Sequence, residues 1–214
     1  MQSRLYLTLM IVMFSVAAVA CSFGSDIESF PEGVLFQDDF SDTTSGWDRV
    51  EDDVGIADYA NGVYRIFVNV DNTDAWSNPG LDFSDVIVEV EATKVGGPDD
   101  NDFGVICRYE DINNFYFFIV SSDGYYAVGK VIDGTQELLG ESEMISGGAI
   151  KTGNMTNNLR VDCIGSTLTL YANGTQLTTV DDTSFTSGDV GLLAGTFDTP
   201  GTDIHFDNFV VRAP

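Results

Sequence analysis

After Val34, apolar and polar residues alternate along nearly the whole chain, in short runs broken by turn residues roughly every eight to twelve positions. Side chains of an extended backbone point to opposite faces in turn. A period of two therefore makes strands with one apolar face and one wet face. The runs VYRIFVNV, DVIVEVEATKV, FGVICRY, FYFFIVS, YYAVGKVI, NLRVDCIG, TLTLYAN, VGLLAGTF and IHFDNFVV all read this way. Asn61-Gly62, Asp123-Gly124, Asp133-Gly134 and Asn173-Gly174 suit tight hairpins, because these residues tolerate positive φ. No stretch has a convincing helical period, and no internal repeat stands out. The expectation is an all-β chain of about twelve strands, closed as a two-sheet antiparallel β-sandwich or jelly roll over residues 34–214.

Alternation also assigns faces. Val86, Val88, Val90 and Ala92 point inward, with Ile87, Glu89, Glu91 and Thr93 outward. Phe103, Val105, Cys107 and Tyr109 point inward and Arg108 outward; Leu159, Val161 and Cys163 point inward. In NNFYFFIVSSDGYYAVGK both faces are aromatic or apolar. If Tyr116, Phe118 and Val120 are core, Phe115, Phe117 and Ile119 make a second apolar face, expected to include Arg108 and Tyr125. An arginine among aromatic rings can grip a sugar, with the rings stacking on C–H groups and the guanidinium bonding hydroxyls. Trp76, in the loop DNTDAWSNPG, is the expected rim of that site. The alternative is a second core layer covered by a loop.

The chain has 9 Lys plus Arg against 34 Asp plus Glu, a formal net charge of −25. Such a chain repels phosphate backbones, which excludes nucleic acid as a partner and leaves cations or neutral polymers. The same charge also serves solubility outside the cell. Fifteen Phe residues and 43% hydrophobic content argue against disorder. At the N-terminus, Arg4 precedes an apolar run that ends in Ala18-Val19-Ala20, the small-x-small pattern of a signal peptide spanning residues 1–20. Cys21 follows, and the segment resembles the lipobox of bacterial lipoproteins, although Ala18 stands where Leu is commoner. This implies a lipidated Cys21, a linker over residues 21–33, and a protein held outside a bacterial membrane by its lipid alone. The alternative is ordinary secretion. In an oxidising compartment Cys107 and Cys163 can pair, or they can remain two buried thiols.

The pieces DDFSDTTSGW, YANGVYRI, GVICRYEDINNFYFF, LYANGTQL and VGLLAGTF…FDNFVV together resemble a concanavalin A-like lectin/glucanase domain over about residues 34–212. The similarity extends to laminin-G-like domains and to the glycoside hydrolase family 16-like and 3-keto-disaccharide hydrolase-like domains of bacterial lipoproteins. It implies two curved sheets, paired first and last strands, and sugar binding on the concave sheet. It also implies a structural calcium ion held by Asp38 and Asp39, the Gly62 carbonyl and Asp207.

Glu89 and Glu91 share a strand face, as the acid/base carboxyls of a sugar-cleaving enzyme do. The third carboxylate of the family 16 pattern is missing: VEVE continues with Ala92, Thr93 and Lys94. The pair therefore reads as a solvated strand face, and no catalytic residue is assigned. Asp99, Asp100, Asn101 and Asp102 offer calcium-type oxygens, but Gly-Gly-Pro-Asp is equally what a turn needs. The expected function is a glycan- or surface-polymer-binding module. The alternatives are a family 16-like glycosidase or lyase and a structural surface protein.

Overall fold

The computed structural model describes residues 31–214; the leader, Cys21 and most of the linker lie outside the described residues. Sixteen strands follow in order: β1 (Val34–Asp38), β2 (Val50–Glu51), β3 (Gly55–Tyr59), β4 (Tyr64–Val68), β5 (Thr73–Ser77), β6 (Val86–Gly96), β7 (Asn101–Asp111) and β8 (Asn114–Val120). They continue with β9 (Tyr125–Ile132), β10 (Thr135–Leu138), β11 (Ile145–Ser146), β12 (Thr156–Ile164), β13 (Thr167–Ala172), β14 (Thr175–Asp181), β15 (Asp189–Thr196) and β16 (Thr202–Arg212). The strands expected from alternation are all present. The additional ones are short or weakly patterned, such as β5, where TDAWS offers little apolar alternation but pairs with β15.

Two antiparallel sheets result. A nine-stranded sheet runs β14-β13-β12-β6-β16-β4-β3-β2, with β1 also on β16; a seven-stranded sheet runs β10-β9-β8-β7-β15-β5, with β11 also on β9. The first and last strands pair, Gln37 opposite Val210 and Asp38 opposite Phe209. Asn61-Gly62, Asp133-Gly134 and Asn173-Gly174 all carry positive φ at both positions, as two-residue hairpins require.

The main core lies between the sheets. From the nine-stranded sheet come Ile66, Val88, Ala92, Leu159, Val161, Leu170, Phe206 and Phe209; the seven-stranded sheet adds Phe103, Val105, Tyr116, Phe118, Val120 and Leu192. Each large buried side chain contributes about 2–3 kcal/mol by leaving water. Cys107 on β7 and Cys163 on β12 are bonded, so a covalent link joins the two layers. Their sequence separation of 56 makes this a long closed loop, worth about 4 kcal/mol in the chain-entropy account.

The alternation fails in β16, where the inward set steps from Phe206 to Phe209 across Asn208 (φ 53°), and more consequentially in β7. Arg108 has φ 51°, and the β7–β8 register shifts between Cys107 and Asp111. This bulge changes the faces of the residues after it. Tyr109, expected in the main core, packs instead on the opposite side of the seven-stranded sheet. Gly188 (φ 146°) lets the neighbouring chain approach the bulge, since a Cβ there would come 2.7 Å from the Arg108 carbonyl carbon.

Candidate functional site

A second apolar layer covers the outer face of the seven-stranded sheet. Ile106, Phe115, Phe117, Ile119, Ala127 and Leu193 form it, and Trp76, Tyr109, Val131, Leu138 and Met144 pack against them. These are the alternate partners of the core residues: Phe115, Phe117 and Ile119 face out because Tyr116, Phe118 and Val120 face in. Phe115 stacks obliquely with Trp76 and with Tyr109, each at 5.5 Å between ring centroids. The layer is not sealed. Trp76, Ile106, Phe115, Phe117, Leu193 and Gln136 line an open cleft of about 220 Å³. A second depression, of about 420 Å³, adjoins it and is lined by Asn72, Leu138, Met144 and Thr196 among others. The two share Asp74, Asp102, Ile119 and Gln136, so together they form one groove with carboxyls at the junction.

Those carboxyls come from three strands acting together. On β15, Gly195 pairs with Asp74 of β5 on one side and with Asp102 of β7 on the other. Gly195 has no side chain, so its neighbours' carboxyls lean over it. A Cβ built there would collide with Asp74 Oδ1 and come 2.7 and 2.8 Å from the Asp102 oxygens. Asp74 is exposed in the groove, whereas Asp102 is 4% exposed. Asp102 Oδ1 has no hydrogen-bond partner, and among the described residues no Lys, Arg or His pairs with either aspartate. Burial, and then the neighbouring Asp74 charge, pushes the Asp102 pKa well above the ordinary carboxylate value. The protein packed around Asp74 pushes its pKa up as well, despite its exposed edge.

Solved structures share this architecture. The carbohydrate binding module CBM66 from Bacillus subtilis superposes with a TM-score of 0.64 at 18% identity, over 79% of this chain and 96% of that one. The chain has the concanavalin A-like fold. A Bacillus subtilis protein with a galectin-like fold matches this concanavalin A-like domain with a TM-score of 0.65 at 10% identity, covering 84% and 96% of the two chains. Bacillus licheniformis beta-glucanase matches with a TM-score of 0.58 at 10% identity, over 86% of this chain and all of that one. No family model and no curated protein sequence matches the chain. At these identities the likeness is one of fold.

Within the concanavalin A-like domain the expected groove residues separate. Phe117 and Trp76 line the groove, Trp76 from strand β5 rather than from a loop. Tyr125 is exposed at the start of β9 and does not line the cleft. Arg108 is a correction. It is 2% exposed, and its guanidinium donates to the Phe185 carbonyl at 2.8 Å, the Ser84 carbonyl at 3.3 Å and Asp85 Oδ1 at 3.1 Å. The bulge turns it away from the aromatic layer and into a structural role.

The expected calcium ligands come together only in part: Asp38 and Asp39 line one depression with Asp42 and Asn208, and neither Gly62 nor Asp207 is in its lining. Among the described residues no three Asp, Glu, His or Cys side chains cluster as metal ligands. Asp38 is buried and accepts hydrogen bonds from Phe40 N at 2.7 Å, Trp47 Nε1 at 2.9 Å and Ser45 Oγ. Asp39, the next residue, is exposed and bonds Ser41; Asp207 accepts from Asn208 N at 2.7 Å; Gly62 caps a hairpin.

Glu89 and Glu91 sit on the outer face of the other sheet, where Arg212 and Asn208 bond them at 3.0 and 3.3 Å. Asp99 pairs with Lys94, and Asn101 closes the turn through the Pro98 carbonyl at 2.8 Å. Sequence reasoning overlooked Asp74, read as loop, and assigned Asp102 only to the acidic turn. The available signal was Gly195, a small residue in an otherwise apolar strand, which marks a close approach.

Proposed function

We propose that this domain binds glycans in the groove on the outer face of its seven-stranded sheet. One observation carries the reading: a buried carboxylate, Asp102, with an unpartnered oxygen, set beside a second carboxylate and aromatic rings in an open groove. A buried acceptor without a donor costs about 1–3 kcal/mol, a cost the fold has no structural reason to retain. Sugars supply what is missing: hydroxyl or amine donors for the carboxyls and C–H faces for Trp76 and Phe115. The two adjoining depressions suit an oligomer rather than a single sugar. Cleavage of a glycosidic bond needs two carboxyls about 5 Å or more apart, with the reacting carbon between them. Asp74 and Asp102 instead crowd one methyl-sized space above Gly195, which suits gripping.

The proposal includes export and attachment through Cys21 outside a bacterial membrane, on the strength of the Ala18-Val19-Ala20-Cys21 segment. The test is calorimetric titration of the full chain with a panel of neutral and charged oligosaccharides. Trp76→Ala is expected to weaken binding by about 2 kcal/mol, as truncating a central aromatic anchor does. A panel without a single binder, in a protein that melts cooperatively, overturns the glycan reading in favour of a protein-contact surface.

A further inference from the structure

We infer that the groove selects a cationic amino sugar, whose ammonium group is held by Asp74 backed by Asp102. The inference rests on the glycan reading and names its substrate class. The two carboxyls converge over Gly195 from β5 and β7, at the junction of the two depressions. Neither has an ion-pair partner among the described residues, and Asp102 Oδ1 has no partner of any kind. Elsewhere the domain compensates such groups. Asp182 takes Lys130 at 2.8 Å, and Asp203 takes Arg65 at 2.8 Å. The groove pair brings two carboxyls over one glycine with no ion-pair partner for either among the described residues.

The missing charge can come from three kinds of ligand, and the surroundings decide among them. A neutral sugar supplies donors but no positive charge, so the pair would have to keep a proton to escape its own repulsion. A hard divalent cation needs six to eight oxygens. Here Trp76, Phe117, Ile119 and Leu193 supply an apolar floor, and the further polar side chains of the lining, Asn72, Asn113, Gln136 and Thr196, are neutral. An ammonium on a sugar ring fits both halves of the site. Its N–H groups donate to the carboxyls as charge-assisted bonds, and the ring carrying it lies on the aromatic face. Trp76 and Phe115 add attraction of their own for a cation over their faces. The net charge of −25 draws such a ligand from a distance.

The test compares tetramers of glucosamine, N-acetylglucosamine and glucose, titrated into the full chain at low and high salt. The glucosamine tetramer is expected to bind at least about tenfold more tightly than the other two, with the preference shrinking in high salt. Asp102→Asn and Asp74→Asn, in variants that melt cooperatively, are expected to erase the preference, so that the glucosamine tetramer binds each of them no more tightly than the glucose tetramer does, within about twofold. Equal affinity for glucosamine and glucose tetramers overturns the inference and leaves the glycan reading intact. So does a preference that survives both substitutions. Calcium chloride titrated alone is expected to give no heat; calcium bound by the wild type and lost in Asp102→Asn assigns the pair to a metal and overturns the inference. Failure of all three sugars removes the glycan reading for these polymers and this inference with it.

Discussion

At the scale of single residues, the Asp74–Asp102 pair is a stability cost that the fold retains. A carboxyl whose folded pKa is raised holds its proton more tightly when folded than when unfolded. Its stabilising protonation is complete below the unfolded value and is lost as pH rises through the raised folded value. At neutral pH the pair therefore weakens the fold. Asp102→Asn removes one charge, and its amide can donate to Asp74. The variant is expected to gain on the order of 1 kcal/mol at pH 7, read as a higher melting temperature. The gain is expected to shrink toward pH 3.5, where both proteins carry neutral groups at this position. Asp189 titrates with the same sign, its pKa raised to about 6 by burial, but it is common to both proteins and cancels in the difference. A loss of stability at pH 7 would mean that Asp102 makes a favourable contact in the folded protein.

At the scale of elements, alternation carried most of the fold, and its failure at the β7 bulge misplaced a site residue. A period of two reads faces correctly for as long as the register holds. It read Tyr116, Phe118 and Val120 against Phe115, Phe117 and Ile119 correctly. The bulge at Arg108 was not legible, because RYED contains no glycine to mark the positive φ. The partner that permits it, Gly188, lies 80 residues away on another element. The carboxyl pair escaped for the same reason. Asp74 and Asp102 meet only through β15, a strand distant in sequence from both. Arg108 consequently belongs to stability. Arg108→Ala leaves the buried Phe185 carbonyl without its donor and removes the part-buried bond to the Ser84 carbonyl. It is expected to cost about 2–4 kcal/mol in urea unfolding. Any oligosaccharide affinity should persist wherever the variant is folded. A folded Arg108→Ala that loses sugar binding would return the arginine to the site.

At the scale of the whole molecule, the two sheets divide the work. The outer face of the nine-stranded sheet is charged and self-paired: Glu89 with Arg212, Arg160 with Asp162, Arg65 with Asp203. The outer face of the seven-stranded sheet is aromatic and grooved. The described chain enters at β1, which pairs with β16 in the nine-stranded sheet. The first described residues therefore join the layer that does not carry the groove, and a surface holding the protein by its N-terminus would leave the groove open to solution. This geometry makes a prediction independent of lipid. A chain immobilised through its N-terminus is expected to bind oligosaccharide within about twofold of its affinity in solution. A chain immobilised through Ile112→Cys is expected to lose binding, since Ile112 is 60% exposed and lines the cleft. Binding kinetics on the two surfaces, compared with calorimetry in solution, give the answer. Loss of binding on the N-terminal surface alone would put the site on the same side as the tether, and the groove on the seven-stranded sheet would no longer account for recognition.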